Sequence, residues 1–99
     1  MNLYKEAHSI AREAFNEARE YGEDAIDIIH QMCDGHEVAI YYHKAIQFCA
    51  DHDTSAGEDW LEDAGGIAQP GDTFGQIACQ IAFATLYCAA MDALSELDS

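Results

Sequence analysis

The sequence predicts an all-α fold, a compact bundle of about five helices with a central apolar C-terminal helix. Three observations carry that expectation. Apolar residues recur at steps of three and four along most of the chain, the spacing of one helical face. The stretch Ile77 to Ala90 is apolar nearly all round, which requires neighbours on several sides. The single proline, at position 70, and the lack of Ser/Pro or Gln/Asn tracts leave no linker. A second core would make each part too small to stand alone, so residues 1–99 form a single acidic helical domain.

The first element is expected over about Asn2 to Tyr21. Leu3, Ala7, Ile10, Ala14, Ala18 and Tyr21 form its apolar stripe, Phe15 widens it, and Gly22 stops the helix. Lys5, Arg12 and Arg19 recur every seven residues on another face, where they are expected to pair with Glu13 and its neighbours. The second element is expected over about Glu23 to Asp34, with Ile26, Ile29 and Cys33 on one side, Ile28 and Met32 beside them, and acidic residues at its start complementing the helix dipole. The third is expected as one helix over about His36 to Ala50. Val38-Ala39-Ile40-Tyr41-Tyr42 suits a strand by propensity, but Val38, Tyr42, Ala45, Ile46 and Cys49 fit a helical period over three turns.

A polar turn at residues 51–54 precedes a short helix bearing Trp60 and Leu61, opened by a capping box of Ser55 and Glu58. Ala64 to Gly71 reads as an irregular loop, after which Asp72 or Thr73 caps a final helix over about Phe74 to Leu97. Ile77, Ile81, Ala84, Cys88 and Met91 make its large face; Ala78, Ala82, Thr85, Ala89 and Ala93 make a small-residue face that admits a close neighbour. Gln80, Thr85 and Asp92 interrupt its apolar run, which falls short of the roughly 20 residues a membrane span needs. It reads as a core helix, and its surplus of apolar surface leaves room for a homodimer.

Charge narrows the function classes. Nineteen Asp and Glu face four Lys and Arg, for a formal charge of -15, against a magnitude of roughly 2–8 in ordinary small domains. Such a surface repels DNA, RNA and anionic membranes, so the expected partner is a basic protein surface, with no direct nucleic acid and no membrane. The N-terminus lacks the basic start and apolar run of a signal peptide, and four cysteines in apolar company suit reduced thiols in a cytoplasm.

Catalytic patterns are sparse. There is no Gly-x-Ser-x-Gly elbow or Cys-His signature, and Gly65-Gly66 followed by Gly71-Asp72-Thr73 is too loose for a phosphate loop. Asp27-Ile28-Ile29-His30 offers a single copy of a motif that a di-iron bundle needs in pairs. No enzyme and no cofactor are expected. The sharpest metal alternative is a zinc set of His30, Cys33, Cys49 and His52, in two pairs three residues apart. Both cysteines lie on apolar stripes, where a free thiol packs as a small hydrophobe, and that reading is preferred.

The carboxylates are the remaining signal. Glu13, Glu17, Glu20, Asp24 and Asp27 step by three or four, and Glu58, Asp59, Glu62 and Asp63 crowd two turns beside Trp60. Helical neighbours at such steps lie roughly 5–6 Å apart, close to the phosphate spacing of a nucleic-acid strand, and repel by a few tenths of a kcal/mol per pair. These ten residues, Trp60 included, are the candidate partner-binding set, and the array suits a basic groove built for DNA or RNA. The alternative is a protein-interaction or dimerisation module working through Trp60, Tyr41 or Tyr42 as exposed anchors.

Asp34-Gly35-His36-Glu37-Val38-Ala39-Ile40-Tyr41-Tyr42-His43-Lys44-Ala45 resembles a segment of small phage- and plasmid-borne proteins. In size, acidity and lack of catalytic motifs the chain is similar to phage-encoded inhibitors of host defence, anti-CRISPR proteins among them. That resemblance implies a nucleic-acid mimic acting in the host bacterial cytoplasm on a defence or DNA-processing complex.

Overall fold

The computed structural model describes residues 1–66 and 69–97. Among these the chain is helical with no strand: α1 (Leu3–Tyr21), α2 (Ala25–Asp34), α3 (Glu37–Ile40), α4 (Tyr42–Asp51), α5 (Ser55–Asp63) and α6 (Phe74–Leu97). Of the expected loop, residues 67 and 68 lie outside the described residues.

Local chemistry sets the helix ends. The Asn2 side chain accepts from the Lys5 amide and caps α1, and Gly22 closes it in the left-handed region at φ 70°. Asp24 caps α2 by accepting from the Ile26 amide at 2.9 Å. Thr73 proves to be the cap of α6, in a reciprocal box: the Gln76 amide donates to Thr73 Oγ1, and the Thr73 amide donates to Gln76 Oε1 at 2.7 Å. The box expected at Ser55 and Glu58 does not form. Asp53 accepts instead from both the amide and the hydroxyl of Ser55, which holds its carboxyl below the usual range.

The expected third helix is two. Tyr41 is extended, at φ -99° and ψ 121°, closing α3 through its amide to the Glu37 carbonyl while opening α4 through its carbonyl to the Ala45 amide. The β-branched and aromatic run around it is a weak helix former. The break lets Val38, Ala45 and Phe48 all reach the core, and it turns Tyr42 and Ile46 outward, against the single-stripe expectation. Lys44 pairs with Glu37 across it at 3.3 Å.

Helix α6 organises the rest. Its 24 residues span about 36 Å at the α-helical rise, against a longest molecular dimension of 41 Å. Every other helix packs on it. By length and composition α6 could cross a membrane, but here it is the shared wall of a bundle. Its small-residue face (Ala78, Ala82, Thr85, Ala93) is buried, while Ile77, Ile81, Cys88 and Met91 of the large face are half-covered. The close approach comes at Gly57 of α5, where a side chain would strike the Thr85 backbone. Thr85 Oγ1 sits buried there with no hydrogen-bond partner among the described residues. Tyr21, expected on the α1 stripe, is exposed at the helix end.

Candidate partner-binding surface

Glu13, Glu17 and Glu20 share the outer face of α1, along an open groove that Lys5, Arg12 and Asn16 also line. The expected pairing of the cations with these acids is absent: among the described residues Lys5, Arg12 and Arg19 form no ion pair. Arg19 lies over the Phe15 ring instead, 5.5 Å from its centroid. Among the described residues the one Lys–carboxylate ion pair is Lys44–Glu37, and two histidines meet carboxylates, His8 with Glu96 at 3.2 Å and His36 with Glu6 at 2.9 Å.

Asp24 and Asp27 do not prolong the α1 row. Asp24 is occupied as the α2 cap and faces Phe15, Ala18 and Arg19. Asp27 lies on α2, close enough to Tyr87 for its charge to help raise the phenol. The α5 acids divide as well. Glu58 points toward α4, where its charge adds to burial in raising the Cys49 thiol; Asp59, Glu62 and Asp63 are exposed. Helix α5 makes no backbone contact with α1, so the α1 row and the α5 acids form separate outward patches rather than one strip.

Trp60 is not a free anchor. Its ring lies 5.4 Å from Tyr87 and 6.3 Å from Phe83, half-buried against α6. Tyr41 and Tyr42 are exposed to 53% and 52%, with Ile40, Ile46 and above all Phe74, at 74%, also outward. The Tyr42 ring lies directly on Gly75, beside Phe74, so α4 and the start of α6 bring two exposed aromatic residues together. Only the apolar character of α4 was readable in advance, because Phe74 joins Tyr42 through tertiary packing.

The four zinc candidates are dispersed. His30 packs edge-on against Phe83 and Tyr87, at 5.2 and 5.7 Å between ring centroids. His52 lies on Phe48. The Cys49 thiol donates to the Ala78 carbonyl at 3.6 Å. Cys33 is fully buried, its thiol pushed up to about 12 by desolvation, with Cys88 and Glu6 adding. Among the described residues no group of three or more His, Cys, Asp or Glu is placed to hold a metal ion. Burial raises the Cys79 and Cys88 thiols too, against a nucleophilic role at neutral pH.

One contact has no counterpart in the sequence pattern. His36 accepts the Val38 amide through Nδ1 at 3.2 Å and meets Glu6 through Nε2, so a neutral imidazole with its proton on Nε2 satisfies both. It ties the α2–α3 junction to α1. Compared with protein families, curated proteins and solved structures, the chain matches none.

Proposed function

We propose that this chain is an acidic protein-binding inhibitor that occupies a basic nucleic-acid-binding surface of a bacterial defence or DNA-processing complex, working in the cytoplasm as a nucleic-acid mimic. One observation carries the reading. Glu13, Glu17, Glu20, Asp59, Glu62 and Asp63 stand on outward helix faces, and among the described residues none has an ion pair or a side-chain hydrogen bond within the chain. Their mutual repulsion is held by helices fixed on a common core, and a cationic groove relieves it. Because α5 stands apart from α1, the mimicry works through separate patches, each matched to a few phosphate positions.

The test is competition. A basic nucleic-acid-binding complex captured by this protein should release a labelled oligonucleotide as the protein is added, with an affinity that falls steeply with salt. Reversal of Glu13, Glu17 and Glu20, or of Glu58, Asp59, Glu62 and Asp63, should abolish the release. Reversals that leave both affinity and salt dependence untouched refute the mechanism.

A second reading rests on the aromatic patch of Tyr41, Tyr42, Ile46 and Phe74, an interaction or dimerisation surface of the kind interfaces favour. Binding through it would survive high salt and fail on Phe74→Ser.

A further inference from the structure

Helices α2 and α5 both pack on α6, yet their backbones do not approach each other. The gap between them has an aromatic floor and aromatic walls. Phe83 and Tyr87, one turn apart on α6, stack with centroids 5.8 Å apart and an interplanar angle of 24°. His30 stands against both from the α2 side, and Trp60 stands against both from the α5 side. Phe83 and Trp60 are each partly exposed, and His30 is open to solvent.

The rims of this groove carry one sign of charge. On α2, Asp27 and Asp34 lie three residues before and four after His30, placing them on its side of the helix. On α5, Asp63 lies three residues after Trp60, on its side of the helix, and all three acids are exposed. No cation of this chain reaches them among the described residues. The field extends to the floor: Tyr87 is raised first by burial and then by Cys88, Cys33, Asp27 and Asp24.

We propose that the groove between α2 and α5 receives an arginine side chain from a basic segment of the partner protein. The guanidinium lies over the Trp60 and Phe83 rings and is held at its edges by the rim carboxylates. An uncharged apolar peptide would leave the rim acids unanswered, and a second copy of this chain would bring a further -15 charges. Arginine suits the site better than lysine. Its planar, weakly hydrated cation stacks on aromatic faces and meets carboxylates in a two-point fork, whereas an ammonium keeps its water. This inference rests on the acidic-inhibitor reading and adds a subsite to it.

Trp60 is the sole tryptophan and reports on the groove directly. The experiment titrates the full chain with hexa-arginine and hexa-lysine peptides, following Trp60 emission and, in parallel, calorimetry. Hexa-arginine should change the emission saturably and bind about 5- to 10-fold tighter than hexa-lysine, the size of a partly desolvated cation–aromatic contact. Phe83→Leu and Trp60→Leu, the latter read by calorimetry, should bring hexa-arginine affinity down to that of hexa-lysine. The exposed change Asp27→Asn with Asp63→Asn should reduce the preference for hexa-arginine without touching the core. Equal affinity for the two peptides, or a preference that outlives all three variants, overturns the subsite. Reversal of Glu13, Glu17 and Glu20, which lie outside the groove, separates the two levels: it should weaken both peptides alike. If it does so while no arginine preference exists, the groove fails and the acidic-surface reading stands; if neither peptide binds, both fail.

Discussion

A methyl group added at Gly57 would land on the Thr85 backbone, which cannot swing aside as a flexible side chain would. Glycine to alanine within a helix gains about 1 kcal/mol of propensity, while overpacking a tight contact costs about 1–3 kcal/mol. Against unyielding backbone the cost falls at the upper end and the clash wins, so Gly57→Ala should lower stability by up to about 2 kcal/mol, read as a drop in the urea midpoint. Cys33 makes a pH prediction. Its ordinary value is 9.0, and burial lifts the folded thiol to about 12, with Cys88 and Glu6 adding. A folded value above the unfolded one stabilises the native state fully below pH 9.0 and is lost as pH rises toward 12. Stability measured by urea unfolding should therefore fall across that window, and Cys33→Val should flatten the fall. An unchanged slope in the variant would place its cause elsewhere. At this scale the sequence was partly legible. Thr73 stood among two candidate caps, but the His36–Glu6 link joins residues thirty apart, and no local pattern announces it. Nor does the sequence mark Gly57 as a crossing point, since its partner lies on another helix.

Among the elements, α6 was legible end to end because an apolar run of that length with a capping threonine leaves few alternatives. The α3–α4 break was not. A helical period fitted the whole stretch, and the competing extended preference of Val38 to Tyr42 is realised at one residue, Tyr41. Tertiary packing decided between them: the break brings Val38 and Phe48 inward together and lays Tyr42 on Gly75. Tyr42→Ala should cost about 1 kcal/mol, since the ring buries roughly half of its surface. It should also speed amide exchange in the first turns of α4 more than in α1. Uniform acceleration across both helices would mean that Tyr42 does not anchor α4 specifically.

For the whole molecule, net charge is the controlling quantity. A charge of -15 on 99 residues opposes compaction, and only one Lys–carboxylate pair offsets it among the described residues. Thermal stability should therefore rise as sodium chloride screens the repulsion, with most of the gain by about 0.15 M, where the Debye length is near 8 Å. A melting temperature indifferent to salt would show that the helices hold the carboxylates too far apart to interact. The acid rows were visible in the sequence as helical steps, yet their distribution was not. Their spread over α1, α2 and α5 depends on where each helix meets α6, which is a property of the assembled bundle. The same assembly creates the groove whose floor comes from α6 and whose walls come from α2 and α5. The decisive measurement for nucleic-acid mimicry is capture of proteins from a bacterial lysate at low and high salt, with the native chain and with the Glu13/Glu17/Glu20 and Glu58/Asp59/Glu62/Asp63 reversals side by side. Basic nucleic-acid-binding proteins should be retained at low salt by the native chain alone and released at high salt. Retention of the same proteins by the reversed chains, unaffected by salt, would contradict mimicry.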